Sequence, residues 1–181
     1  MEISIYLSNL RKYVEGNENG RWIPLPMEVE ELKKVFDEIV GDGEEWIILD
    51  YNAPFYISEY ENIAELNKFM FEISEYDEED VKLLFKVRDD KEEVLKALED
   101  GNYSIVSADN RTTLGNYADY GLALHEEGYN NLFSQPIPED MIDYIDFEQV
   151  YTCLSVNDGW QEVTINEKDR YETYLVTIWR S

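Results

Sequence analysis

Residues 59–100 read EYENIAELNKFMFEISEYDEEDVKLLFKVRDDKEEVLKALED, and this acidic middle segment decides the fold. Apolar residues recur in it at the three- and four-residue spacing of amphipathic helices. They form three sets: Ile63, Leu66, Met70 and Ile73; Val81, Leu84 and Phe85; and Val94, Leu95 and Leu98. The pattern predicts three short helices that pack their apolar stripes together and turn charged residues to solvent.

Polar residues mark where these helices begin and end. Asn62, the acidic run 77–80 and Asp90 each offer a side-chain acceptor and negative charge to free helix N–H groups. Gly101 is predicted to end the third helix. Residues 59–100 contain 15 acidic and 6 basic residues, a net charge of −9. The predicted helical packet therefore presents a mostly acidic surface.

The composition predicts a folded protein without a metal or cofactor. Of 181 residues 44% are hydrophobic and 14% aromatic, which is too apolar for a disordered acidic tail. There is no signal-like segment and no apolar run near about 18 residues, so we expect a cytoplasmic protein without a membrane span. The single Cys153 excludes an internal disulfide, and the single His125 excludes a metal site built on several His or Cys ligands.

The net charge is the least ordinary property of the chain. It contains 41 acidic and 15 basic residues, for a net charge of −26, spread as −7, −9 and −10 over residues 1–58, 59–100 and 101–181. Duplex DNA carries one charge per ~1.7 Å of axis, so the charge per length approaches that of DNA. Binding to nucleic acid or an anionic membrane is not expected, and a strongly basic partner is favoured. Acidity selected for solubility or high salt explains the charge equally well.

Residues 1–58 are predicted to form a small α+β unit. Alternating Ile3, Ile5 and Leu7 indicate a strand, and residues 21–25 a second strand that Pro24 confines to a sheet edge. The apolar residues 46–49 indicate a third strand covered on both faces. Between them a helix is predicted on the stripe Leu32, Val35, Phe36 and Ile39, ended by Gly41 and Gly43.

The C-terminal segment is also predicted to be α+β. A strand over 103–106 precedes a helix that Asp109 caps and that runs through Tyr117 toward Gly121. A short helix is predicted at Pro138. A further helical stripe of Phe147, Val150, Tyr151 and Leu154 stops near residues 157–159, and strands over 160–165 and 174–178 close the segment.

Two spaced motifs are found in the sequence. The first, directly after the first predicted strand, is Leu10, Tyr13, Gly16, Gly20, Trp22 and Leu25. The second comprises Ala108-Asp109, Leu114-Gly115-x-Tyr117, Ile137-Pro138-Glu139 and Tyr144-Ile145-Asp146-Phe147-Glu148. Together they resemble the ArdA antirestriction family, whose pattern continues with Gly-Arg-Asp where this chain has Tyr151-Thr152-Cys153. From their residue types alone, Gly16 and Gly20 are predicted to form tight turns, and Trp22 and Leu25 to fill a core.

The resemblance implies a protein that imitates bent B-form DNA and occupies the DNA-binding groove of type I restriction-modification enzymes. It further implies an elongated α+β fold of three small domains and a homodimer formed through the C-terminal one. The corresponding boundaries are an N-terminal α+β domain at 1–58, a central acidic helical domain at 59–102 and a C-terminal α+β domain at 103–181.

No catalytic motif is found, and we expect a binding protein rather than an enzyme. A phosphate-binding loop, a calcium loop and a nucleophile-base triad are each unsupported. Side chains expected to stand in for phosphates are Glu72, Glu75, Asp77, Glu78, Glu79, Asp80, Asp89, Asp143, Asp146 and Glu148. The alternatives are an acidic interaction module for another basic DNA-binding protein and an acidic enzyme acting on a cationic substrate.

Overall fold

The structure, a computed structural model, describes most of the chain and divides into two compact units, Met1–Phe85 and Lys86–Ser181. Each unit combines helices with a three-stranded antiparallel sheet, which confirms the predicted α+β class. The division into three domains at 1–58, 59–102 and 103–181 stays a prediction. The described residues are 1–17, 19–41, 44–108, 116–129, 133, 137–167 and 170–179.

The first unit is built on the sheet order β2-β1-β3, with β1 in the centre. Its elements are β1 (Ile3–Asn9), α1 (Leu10–Val14), β2 (Arg21–Leu25), α2 (Val29–Ile39), β3 (Trp46–Asn52), α3 (Ile63–Ile73) and α4 (Glu78–Val87), whose last turn passes the division. All the predicted strands and helices of this part are therefore present, whereas the short α1 was not predicted.

Strand β1 buries the alternating apolar side chains from which it was predicted. Ile5 and Leu7 have no solvent exposure and Ile3 only 2%. In the ladder with β2, Ile3 lies opposite Leu25 and Ile5 opposite Ile23, which are also buried. Because alternate residues of a strand point to opposite faces, this row defines the core face of the sheet. Pro24 lies on an edge strand, as predicted.

Two asparagine side chains bind the C-terminal end of α2. The Asn9 Nδ2 donates to the carbonyl oxygen of Val40 at 2.6 Å, and the Asn19 Nδ2 donates to that of Ile39 at 2.8 Å. The last carbonyls of a helix lack intrahelical partners, so these amides satisfy buried acceptors. Gly41, with φ of 95°, follows, whereas Gly43 lies outside the described residues.

The three predicted helices of the middle segment are confirmed as α3, α4 and α5 (Lys91–Asp100). The Asn62 side chain accepts from the backbone N–H groups of Ala64 and Glu65, and the Asp90 side chain accepts from those of Glu92 and Glu93. Gly101, with φ of 64°, ends α5 in the left-handed conformation.

The second unit packs α6 against α7 beside the sheet order β4-β6-β5. Beyond α5 its elements are β4 (Tyr103–Ser107), α6 (Tyr117–Glu126), a 3-10 helix (Glu139–Tyr144), α7 (Phe147–Asp158), β5 (Gln161–Glu167) and β6 (Arg170–Ile178). The predicted stripe of Phe147, Val150, Tyr151 and Leu154 is buried in the core of this unit.

The prediction that α6 ends toward Gly121 is wrong. Gly121 lies inside the helix and is buried, because α7 crosses there so closely that a Cβ atom would collide with the carbonyl oxygen of Phe147. Here glycine allows two backbones to approach, and it does not stop the helix. The predicted start of this helix at Asp109 is wrong as well, because α6 begins at Tyr117 with Asn116 at its N-cap position. Asp109, Leu114 and Gly115 themselves lie outside the described residues.

Some of the predictions for the residues of the first motif are confirmed and others are wrong. Leu25 is fully buried, and Gly16 forms a turn with φ of 75°. Trp22, in contrast, is 48% exposed, so the prediction that it fills a core is wrong. Gly20 does not have a positive φ; it lies against Tyr6, since a Cβ there would come within 2.7 Å of the Tyr6 ring.

We expect the substitution Gly121→Ala to destabilise the second unit by about 3 kcal/mol or more, because relief of the backbone collision requires α6 and α7 to move apart. Urea denaturation followed by circular dichroism measures the effect. Ala118→Ser, at an exposed position of the same helix, is the control and should cost a few tenths of a kcal/mol. Equal stability of the two variants would contradict the close crossing.

Candidate functional site: an acidic surface

The ten acids singled out in the sequence all have side chains at or near the surface. Seven are exposed: Glu75, Asp77, Glu78, Asp89, Asp143, Asp146 and Glu148. Glu72, Glu79 and Asp80 are half-buried. Six of the ten, from Glu72 to Asp80, belong to the first unit and four belong to the second. The predicted acids therefore lie on two surfaces, that of the first unit and that of the second.

The first surface follows the end of α3, the connection to α4 and the first turn of α4. Part of its charge is neutralised within the fold, since Glu72 pairs with Lys68 at 3.3 Å and Glu78 pairs with Lys82 at 2.8 Å. The N-terminal amino group lies 3.7 Å from Glu78 as well. The hydrogen bond from Lys82 is the main cause that lowers the pKa of Glu78, and nearby positive charge adds to it.

Two of the ten acids serve as helix caps. The Asp77 Oδ1 accepts from the backbone N–H groups of Glu79 at 2.9 Å and Asp80 at 3.2 Å, and the Asp146 Oδ1 accepts from that of Gln149 at 3.0 Å. A capping carboxylate is held in one orientation by these bonds, and its second oxygen remains available to a partner. Asp77 and Asp146 thus contribute to helix stability and to the surface charge together.

Four of the ten acids have no side-chain partner among the described residues. The carboxylates of Glu75, Asp89, Asp143 and Glu148 make no hydrogen bond or ion pair there, and all four are exposed. Their charge is uncompensated and faces solvent. We name these four residues the free acids; they are the strongest candidates for contact with a cationic partner.

In the 3-10 helix of the second unit, acidic and apolar residues lie on different sides. Residues three apart lie one above the other in such a helix. Ile142, and Ile145 just beyond the helix, pack against the core, while Asp140 and Asp143 are exposed one turn apart. Asp140 therefore belongs to the acidic surface, although the sequence reasoning omitted it. The three-residue spacing of Asp140, Asp143 and Asp146 was the available signal.

A stretch of 56 residues, 112–167, contains no lysine or arginine but 11 acids. It includes α6, the 3-10 helix, α7 and β5. The net charges of residues 1–58, 59–100 and 101–181 do not reveal this separation of acidic from basic residues. The segment from α4 to α5 differs, because it contains Lys82, Lys86, Arg88, Lys91 and Lys96 among its acids.

None of the predicted acids lines a cavity that resembles a catalytic site. A cavity of about 600 Å³ in the second unit is lined by side chains of both signs, including Arg88, Lys96, Glu93 and Trp179. Among the described residues no cluster of His, Cys, Asp and Glu is arranged to hold a metal ion. In the same part of the chain, no helix has the length and apolarity to cross a bilayer. The ten predicted acids thus lie at or near the open surface of the two units.

Comparison with known families identifies a match over most of the chain. The model of the antirestriction protein (ArdA) family matches residues 5–165, which include most of both units and both sequence motifs. No curated protein matches the chain.

Removal of the Asp146 cap should separate its structural role from its charge. Asp146→Ala is expected to cost about 1 kcal/mol of unfolding free energy, because the N–H of Gln149 loses its acceptor. Asp146→Asn retains an acceptor and should cost only a few tenths of that amount while it removes the charge. Thermal or urea denaturation checks both variants; equal losses would show that charge, and not the hydrogen bond, stabilises α7.

The ion pair of Glu78 should give a small dependence of stability on pH. Since the pKa of Glu78 is lowered in the folded state, its contribution is present above the unfolded-state pKa and is lost as pH falls through the folded-state value. Both groups are more than one third exposed, so the contribution is at most about 0.5 kcal/mol. Wild type and Glu78→Gln should therefore differ at pH 7 and converge near pH 3 in urea titrations. A difference that grows on acidification would contradict this.

Proposed function

The chain belongs to the ArdA family of antirestriction proteins, and from this premise we propose that it inhibits type I restriction-modification enzymes by occupying their DNA-binding groove in place of DNA. The observation that carries the proposal is the set of exposed carboxylates whose charge the fold does not neutralise. Glu75, Asp89, Asp143 and Glu148 are its most direct representatives. These side chains would pair with lysine and arginine residues that otherwise contact DNA phosphates.

The proposed inhibition is competitive and requires no reaction. An exposed ion pair contributes only about 0 to 1 kcal/mol, so affinity has to come from many pairs formed together. Release of counterions from both surfaces adds a favourable term that falls as salt increases. Preorganised carboxylates lose less conformational entropy on binding. The caps formed by Asp77 and Asp146 supply such preorganisation on the two units.

Membership of the ArdA family supports a proposal for the assembly and the compartment, and the charge supports one for the partner. We propose a homodimer formed through residues 103–181 that acts in the cytoplasm. A net charge of −26 opposes nucleic acid and anionic membranes as partners. The same charge would also suit another basic DNA-binding protein, so a test of function has to include one.

The free acids provide the sharpest test of the proposal. The combined variant Glu75→Gln, Asp89→Asn, Asp143→Asn and Glu148→Gln should weaken inhibition of DNA cleavage by a type I enzyme by about tenfold or more, since four phosphate-like charges are lost. The fold should be unaffected, because these side chains make no contact on which it depends.

A matched control changes four exposed acids on and before α2: Glu28→Gln, Glu30→Gln, Glu31→Gln and Asp37→Asn. The change in net charge is identical, and inhibition should stay close to that of wild type. Equal loss in both variants would show that bulk charge, and not position, determines binding. If the wild type leaves the type I enzyme active but binds a basic DNA-binding protein of another kind, the alternative function is correct.

The salt dependence of binding is a separate prediction. Affinity of the wild-type protein for the type I enzyme should fall by orders of magnitude between about 50 and 200 mM salt, as for a protein that exchanges counterions with DNA. Calorimetry or fluorescence anisotropy over a salt series measures the slope. A flat dependence would contradict electrostatic competition with DNA.

A further inference from the structure

One face of the first sheet is open over part of its area and presents an aromatic pair. On the face opposite to Ile3 and Ile5, the register places Trp22 and Asp50 on either side of Tyr6, and Pro24 and Asn52 on either side of Ser4. Trp22, Pro24, Asp50 and Asn52 are all exposed, and Tyr6 is half-buried. No core packing explains why a tryptophan lies there at 48% exposure.

The row formed by Trp22, Tyr6 and Asp50 is held in place by the backbone ladder. Neighbouring strands lie about 4.8 Å apart, so the row extends over about 10 Å. The Trp22 and Tyr6 rings meet edge to face, with centroids 5.6 Å apart and planes at 64°. Gly20 lies against the Tyr6 ring, where a side chain would collide with it. The row is therefore a fixed surface and needs little ordering on binding.

We propose that this row, Trp22, Tyr6 and Asp50, binds an arginine side chain of a basic partner protein. A guanidinium stacks on an aromatic face while its N–H groups remain free to donate to a carboxylate. The Asp50 Oδ1 accepts from the backbone N–H of Tyr51 at 2.8 Å, which orients the carboxylate and leaves acceptor capacity on its other oxygen.

The charge of the surroundings supports a cationic protein as the occupant. The chain has a net charge of −26, and Arg21, the cation adjacent to Trp22, lies opposite Leu7 in the register, on the core-face side, and pairs with Glu38 at 3.0 Å. A nucleic acid or an anionic lipid would be repelled. That the partner is a type I enzyme rests on the proposed function, whereas the arginine chemistry of the row does not.

The first experiment tests the row without the enzyme. A hexa-arginine peptide is titrated into the intact ¹⁵N-labelled protein at about 150 mM salt, and the indole N–H signals are followed. The Trp22 signal, assigned by its absence in Trp22→Leu, should shift, whereas that of the buried Trp160 should not. A hexalysine peptide of equal charge should shift Trp22 less, and Asp50→Asn should reduce the arginine effect. An unmoved Trp22 signal, or equal shifts with both peptides, would overturn the proposal.

The second experiment measures the contribution of Trp22 to binding of the type I enzyme. Trp22→Ser should weaken affinity by about three- to tenfold, with the slope against salt unchanged because no charge is lost. Tyr60→Ser, at a residue 61% exposed outside the sheet, is the control and should bind as wild type does. Unchanged affinity in Trp22→Ser would overturn the role in this complex.

A third measurement distinguishes the row from a self-association surface. Sedimentation of Trp22→Ser and wild type should give the same oligomeric state; a change would show that a second copy covers the face and would overturn the proposal. If wild type fails to inhibit the type I enzyme while hexa-arginine still shifts the Trp22 signal selectively, the proposed function fails and the arginine site stands.

Discussion

The net charge of −26 is the constraint that this fold has to accommodate, and the hydrogen bonds from backbone N–H groups to the carboxylates of Asp77, Asp90 and Asp146 accommodate part of it. Each begins a helix and also places a negative charge where the helix dipole favours it. With 41 acidic and only 15 basic side chains, the chain cannot neutralise most of its carboxylates by ion pairs. Through the caps, some of the charge that opposes folding becomes a local source of stability.

The remaining charge is tolerated because each unit has its own apolar core. In the first unit the β1 residues Ile5 and Leu7 are completely buried. In the second, Trp160 and Leu154 are buried among aromatic and aliphatic residues of α6 and α7. Self-repulsion lowers the stability of a compact state, so core substitutions that a neutral protein would survive should be less well tolerated here. The close crossing at Gly121 is consistent with a fold that requires tight packing.

Local signals allowed much of the fold to be predicted. The starts and ends of the helices in residues 59–100 depend on residues within the same turn, such as Asn62 and Gly101, and these were read correctly. Features set by distant residues were not. Glycine is required at position 121 because the backbone of Phe147 lies against it. The amides that bind the end of α2 come from Asn9 and Asn19, which are distant in the sequence.

The candidate site shows the same limit. The sequence identifies a surface rich in acids, but a carboxylate that caps a helix, one paired with lysine and one free in solvent look alike in a sequence. Glu78 and Glu75 are three residues apart, yet only the former has ion-pair partners. Trp22 was assigned to a core because tryptophan is usually buried, and only the register with Tyr6 shows that it lies on an open face.

The contacts of the exposed aromatic row and those of the free acids differ in how they respond to salt concentration. Contacts made by Glu75 or Asp143 weaken as salt screens them. Stacking of a guanidinium on Trp22 and Tyr6 depends on ring contact and desolvation, and so resists screening. DNA offers a protein charge along its length but no indole on a rigid sheet. A protein that competes with DNA therefore gains from such a row a contact that DNA cannot make, and it can retain its partner at salt concentrations where charge alone would release it.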